Sequence, residues 1–149
     1  MTDQRHDAAT TLDRIQQNFL ARSERQLLTW LCAHMPRQVT PDLLTLLGLI
    51  GALMTFIGYT ASNVRASWLL LAILGYVIQW FGDSMDGSLA RYRRIERPSY
   101  GYFIDHSCDG LVTLLILAGI GLSPYVTMDV ALVALAGYLL LSIHAYLSA

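Results

Sequence analysis

The stretch from Asp83 to Asp109, DSMDGSLARYRRIERPSYGYFIDHSCD, sets carboxylates at regular intervals inside otherwise apolar sequence. Its spacing is D-x2-D-G-x2-A-R, nine residues, then G-x3-D-x3-D. Between Leu43 and Gly82 the only charge is Arg65, and beyond Asp109 the only charge is Asp129. An ionised carboxylate at the centre of a membrane helix costs about 2.5–3.5 kcal/mol on insertion scales, so four left bare would cost roughly ten. Something must neutralise them, and the neutralising partner points to the function.

The flanking composition fixes the class. Of 149 residues, 54% are hydrophobic and only 14% charged, where a soluble domain carries about a quarter charged. Runs of about twenty apolar residues are what a bilayer core requires. The expected fold is therefore all-α, a polytopic transmembrane helix bundle with an N-terminal amphipathic interfacial helix. The first forty residues lack the short apolar core and cleavage site of a secretory signal peptide. Cys32 and Cys108 are read as free thiols.

Working outward, residues 1–9 are expected to be disordered and residues 10–40 to form a cytoplasmic amphipathic arm. Leu12, Ile15, Phe19, Leu27, Leu28 and Leu31 make its apolar stripe, with Arg14, Arg22 and Arg25 opposite. Ser23-Glu24-Arg25-Gln26 has capping-box spacing and predicts a second helix start, which Pro36 ends. Residues 41–149 form the transmembrane domain. Thr40-Pro41-Asp42 combines a hydroxyl cap, a first-turn proline and an acid at the positive dipole end. Spans are predicted over Leu43 to Tyr59, from Trp68 through Phe81 into the aspartates, from Gly101 to Gly121, and from Val130 to Leu147. Gly48, Gly51 and Gly58 are small packing positions in the first. The segment Arg91 to Arg97 holds four arginines and the N-terminal arm five, which puts both on the cytoplasmic side. The sequence stops directly after an apolar helix, which reads as a truncation.

On one helix, at 100° per residue, Asp83, Asp86, Gly87 and Ala90 share a wedge, and Gly101, Asp105 and Asp109 share a face of the next. The short loop between them predicts antiparallel neighbours whose carboxylates converge. Asp83 is about 12 Å along the helix from Arg91, which puts the site near headgroup level. Two divalent cations would cancel four carboxylates. An all-oxygen donor set favours Mg²⁺ or Mn²⁺ over Zn²⁺, and such a pair suits phosphoryl transfer. Gly87 and Ala90 leave room beside the backbone, and Arg91 offers a planar cation to phosphate oxygens.

Asp83, Asp86, Gly87, Ala90, Arg91, Gly101, Asp105 and Asp109 fill every fixed position in a pattern that resembles the CDP-alcohol phosphatidyltransferase family. Pro41-Asp42-Leu43-Leu44-Thr45 resembles the family's entry to its first span, with Asp for the usual Asn. The resemblance implies an enzyme of phospholipid biosynthesis. It would move a substituted phosphate from a CDP-linked donor, foremost CDP-diacylglycerol, to an alcohol, releasing CMP. It also implies that Asp83, Asp86, Asp105 and Asp109 hold two Mg²⁺ or Mn²⁺ ions, with Asp109 as general base. Gly87, Ala90, Arg91 and Gly101 would line the cytidine nucleotide site, with Asp42 and Thr45 beside them. The family generally has six spans, so the four here would be its front part. Implied partners are a CDP-activated lipid or alcohol, membrane lipids and a second copy of the chain as a homodimer; no nucleic acid is among them. The expected location is the bacterial cytoplasmic membrane.

Two other readings of the aspartates stand beside this one, a cation transporter or channel element and an intramembrane prenyltransferase. Ser99 is a candidate phosphate contact from the loop. His106 reads as a packing residue, Cys108 as a small wall residue, and Arg93, Arg94 and Arg97 as topology markers or anion attractors.

Overall fold

A computed structural model of the protein describes residues 22–147. The expectations for residues 1–9 and for the arm up to residue 21 lie outside the described residues. Every regular element among the described residues is helical. The chain divides into two units between Gln38 and Val39. In the first, residues 22–34 form helix α1 and the chain turns at residues 35–38 around Pro36. Ser23 is helical, and the start of this helix lies outside the described residues.

The second unit holds α2 (Pro41–Ala61), a 3₁₀ turn (Ala66–Trp68), α3 (Leu69–Arg93), α4 (Pro98–Gly121) and α5 (Met128–Leu147). Four of its segments are long and apolar enough to cross a membrane: Pro41–Ala61, Ala66–Arg93, Pro98–Gly121 and Met128–Ala145. The protein is thus an integral membrane protein. Thr40 caps α2 as predicted, its Oγ1 accepting the Leu43 N–H at 3.2 Å. α3 runs without a break through Asp83 and Asp86. It stops where Arg94 turns left-handed at φ 57°. There the Ile95 N–H reaches Ala90 O at 3.0 Å and the Arg94 N–H reaches Arg91 O at 3.1 Å, which satisfies the last carbonyls.

The core lies between α2 and α3 and is built from small residues. Gly48, Gly51, Ala52, Thr55 and Gly58 are buried on α2, facing Ala72, Gly75 and Gly82 on α3. A Cβ on Gly75 would stand 2.6 Å from Gly51 O and Thr55 N, so the two backbones touch directly. In lipid, where apolar burial gives no drive to associate, such close packing is what joins helices. Large side chains point the other way: Leu46, Ile50, Leu53 and Ile57 on α2 and Leu70, Ile73, Leu74 and Val77 on α3 are exposed. Larger buried side chains are Leu44 on α2 and Met85 and Leu89 at the aspartate end of α3.

α4 packs on α2 and α5 on α4, whereas α3 and α4 make at most marginal contact. The antiparallel neighbours expected from the short loop are therefore joined by that loop and by α2 rather than by extensive contact with each other. At one end α4 is tied to α2, where a Gly119 Cβ would lie 2.9 Å from Phe56 Cα and Asn63 Nδ2 donates to Leu122 O at 2.8 Å. Towards the aspartates it diverges, and nothing stands within 4 Å of a Cβ built on Gly101 or Gly110. That separation is consistent with charge: α3 and α4 each carry two carboxylates, and like charges in a low-dielectric layer repel strongly.

Gly75→Val should separate α2 from α3. Overpacking of this kind costs about 1–3 kcal/mol or more, and thermal unfolding in detergent should fall clearly below wild type. Gly137→Val on α5, where a Cβ meets nothing within 4 Å, should leave the midpoint unchanged.

Candidate active site

The divergence of α3 and α4 opens a cleft of about 530 Å³ at the end of the bundle where α2 begins. That volume is within the usual range for small-ligand sites, about 300–1,000 Å³. Its walls come from four segments. The start of α2 gives Thr40 to Asp42 and Thr45; the end of α3 gives Asp86, Gly87, Ala90 and Arg91. The connecting loop gives Ile95 to Arg97, and the first turns of α4 give Tyr100, Gly101, Tyr102, Ile104 and Asp105.

Most of the residues singled out in the sequence meet here. Asp42, Thr45, Gly87, Ala90, Arg91 and Gly101 all line the cleft; Ser99 does not. Ser99 also lies in the first turn of α4 rather than in the loop. Of the four aspartates, Asp86 and Asp105 line the cleft, while Asp83 and Asp109 stand one turn deeper along their helices. The charges of Asp86, Asp105 and Asp109 all act on Asp83, and Cys108 is within electrostatic reach of all four. The four carboxylates are thus close enough to influence one another's charge, and two of them, Asp86 and Asp105, line the cleft.

No group of three or more His, Cys, Asp or Glu side chains among the described residues is close enough to hold a metal ion. The donor chemistry nonetheless fits a hard divalent cation. The acids are oxygen donors from two helices on opposite sides of an open cleft. The soft or nitrogen donors nearby are Cys108, a free thiol, and His106. His106 is occupied otherwise: Nδ1 is 2.9 Å from Tyr102 O and the ring stacks on Tyr102 at 4.2 Å. It also stands 3.7 Å from Asp105 Oδ2.

Local geometry explains several residue types. Gly87 lets Arg91 fold back along α3, since a Cβ there would sit 3.2 Å from Arg91 Nη1. The guanidinium also approaches Ser88 Oγ at 3.4 Å and lies in the field of Asp86. Gly101, by contrast, faces empty cleft, so packing within the chain does not demand a glycine there.

Two contacts were not foreseen. Thr45 Oγ1 donates to Asp86 Oδ2 at 2.6 Å. Arg97 Nη2 donates to both oxygens of Asp42, at 2.6 and 2.8 Å, and its guanidinium lies 4.3 Å from the centre of the Tyr100 ring. The Asp42 carboxylate holds the Arg97 guanidinium above its ordinary pKa, so this cation is permanent. Arg93 also donates to Val39 O. Arginines at both ends of the connecting loop are thus tied to the entry of α2. The signal available beforehand was only their presence in a basic loop.

Comparison with known proteins follows the same residues. Residues 38–148 match the sequence profile described as CDP-alcohol phosphatidyltransferase. Cholinephosphotransferase 1 of Homo sapiens is 36% identical over 97 residues, 61% of this chain and 24% of that protein. The Danio rerio protein of the same name is 27% identical over 126 residues, 75% of this chain and 33% of its own length. Archaetidylinositol phosphate synthase of Pyrococcus horikoshii is 30% identical over 104 residues, 70% of this chain and 52% of that protein. The chain therefore spans between a quarter and a half of these relatives. No solved structure matches it significantly.

Asp42 and Arg97 are each about half exposed, and exposed ion pairs add little to stability. Arg97→Gln should leave thermal unfolding close to wild type while trypsin cleaves the loop at Arg93 and Arg94 faster. A large drop in melting temperature would instead make the pair a structural tie.

Proposed function

The chain belongs to the CDP-alcohol phosphatidyltransferase family, and from that membership and the cleft we propose that it transfers a substituted phosphate group from a CDP-linked donor to an alcohol, releasing CMP. The supporting observation is that Asp86, Gly87, Ala90 and Arg91 from the first half of the motif and Gly101 and Asp105 from the second line one cavity. Neither half alone is a site.

In this reading Asp83, Asp86 and Asp105 hold divalent ions, with Asp109 completing the set. Two Mg²⁺ or Mn²⁺ ions bound there would offset the four carboxylates, and Arg91 would add positive charge for the donor's diphosphate. Gly87 and Ala90 keep the α3 wall flat so that the nucleotide can lie against backbone, and Gly101 keeps the facing wall clear. Arg91 offers its guanidinium to phosphate oxygens. Asp109 takes the proton from the acceptor hydroxyl as its oxygen forms a bond to the phosphorus distal to cytidine. The phosphoanhydride bond breaks and CMP leaves with the bonding pair. A carboxylate among cations is a weak base, so Asp109 would act by position rather than by raised basicity.

The donor proposed first is CDP-diacylglycerol. Ile95, Tyr100, Tyr102 and Ile104 give one side of the cleft an apolar wall, and the gap between α3 and α4 gives acyl chains a sideways path. A second reading, with a CDP-alcohol as donor and a lipid hydroxyl as acceptor, is favoured by the relatives named for choline phosphotransfer. Glycerol phosphate, inositol phosphate, serine and an amino alcohol are the acceptors to compare. The arginines of the loop support a cytoplasmic site in a bacterial inner membrane. The reading includes a homodimer, which cross-linking in membranes would detect.

Reconstituted protein supplied with labelled CDP-diacylglycerol or CDP-choline should release CMP from one of them only when Mg²⁺ or Mn²⁺ is present. Asp83→Asn should abolish the cation dependence of CMP binding. Release that persists in excess chelator would count heavily against the proposal. Asp109→Asn should keep nucleotide affinity and lose turnover by about 10²–10⁴-fold, the usual range for a general base. Loss of both would assign the base elsewhere.

A further inference from the structure

Thr45 is on α2, one helix away from both halves of the motif, yet its hydroxyl meets the motif directly. Oγ1 donates to Asp86 Oδ2 at 2.6 Å, within the range of about 2.5–2.7 Å for a hydroxyl on an ionised carboxylate. The other oxygen of Asp86, Oδ1, accepts the Gly87 N–H. Both oxygens of this carboxylate are thus fixed. Among the described residues no hydrogen bond fixes the carboxylate of Asp83 or Asp109.

The bond depends on the glycine seam. A Cβ on Gly82 would lie 2.5 Å from Gly48 N and Leu44 O, so α2 and α3 meet backbone to backbone one turn from this pair. Only at that separation does a side chain as short as threonine cross to an aspartate on the neighbouring helix. A hydroxyl also has one proton. Thr45 Oγ1 lies 3.2 Å from Pro41 O, a longer contact within its own helix, so the proton belongs to Asp86. With its proton committed in this way, the hydroxyl has none left to give to a nucleotide acceptor.

We propose that Thr45 is a positioning residue: its hydroxyl holds the Asp86 carboxylate in the orientation that receives a divalent ion. The inference rests on the reading of Asp86 as a metal-holding residue. Residues that orient metal-holding side chains from behind are worth about 10–100-fold in metal affinity. Threonine does so here without adding charge to a site that already carries four carboxylates.

The test measures CMP binding as a function of Mn²⁺ concentration in purified full-length protein, with catalysis playing no part. Thr45→Val keeps the shape and removes the proton. It should raise the Mn²⁺ concentration for half-maximal binding by about 10–100-fold, while CMP affinity at saturating Mn²⁺ stays at the wild-type value. Thr45→Ser should restore the wild-type midpoint, which identifies the hydroxyl as the cause. A Thr45→Val protein with an unmoved Mn²⁺ midpoint, or with CMP affinity lost even at saturating Mn²⁺, overturns the positioning role. Should valine fail to fold, Thr45→Ser and Thr45→Ala supply the comparison: equal midpoints for the two would overturn the proposal, and a higher one for alanine alone would support it. Wild-type CMP binding that ignores Mn²⁺ altogether would sink the parent reading, and this one with it.

Discussion

The backbone contact between α2 and α3 governs everything built on it. Packed helices usually stand about 8–10 Å apart, the distance being set by the side chains between them. Here glycines at 48, 51, 58, 75 and 82 remove those side chains along the seam. In lipid this closeness is the source of attraction, because dispersion and weak polar contacts act only at short range. Thr55 shows the effect: its buried hydroxyl stays with Gly51 O at 3.0 Å and also approaches Ala72 O of α3 at 3.3 Å. The same closeness brings Thr45 to Asp86. Fold and site share one device.

Electrostatics then determines where the bundle opens. Two carboxylates on α3 face two on α4, and the nearby cations compensate only part of that charge. Arg91 lies over Gly87 in the field of Asp86, and Arg97 is engaged by Asp42. The remaining negative charge lies between segments whose outward faces are apolar. Like charges so placed oppose close approach of α3 and α4, which make at most marginal contact. The cleft follows from an unbalanced charge distribution.

Much of this was legible in the sequence because it is local. The cap at Thr40, the first-turn Pro41 and the unbroken run of α3 through Asp86 follow from neighbouring residues and from helical period. The small-residue positions of α2 were visible for the same reason, although their partners on α3 were not. Features depending on distant pairs were hidden. Thr45 and Asp86 are 41 residues apart, and Asp42 and Arg97 are 55 apart. A single sequence records no pairing at such range. The separation of α3 from α4 was missed because a short loop was allowed to imply contact. A loop fixes the distance between two helix ends and leaves the angle to side-chain forces. The span predicted from Gly101 leaves Ser99 in the loop, whereas α4 already opens at Pro98, as proline commonly does at a first turn.

The cleft has two chemical sides, and the proposed reaction needs both. Along α3 its wall is Asp86, Gly87, Ala90 and Arg91, suited to a charged diphosphate; along the loop and α4 it presents the apolar Ile95, Tyr100 and Ile104 beside the charged Glu96, Arg97 and Asp105. A phosphate moving between a lipid and a water-soluble alcohol must meet both partners at one phosphorus. A buried polar pocket would exclude the lipid, and an apolar groove would strand the diphosphate. Seating the ionic wall on the tightly packed α2–α3 pair keeps it rigid, since its position is set by backbone contact. On the loop and α4 side, which makes at most marginal contact with α3, the apolar Ile95, Tyr100 and Ile104 stand beside the carboxylate of Asp105. Positioning of reactive groups is where much of a catalyst's advantage arises, so the rigid side is the one that carries Asp86 and the residue that orients it.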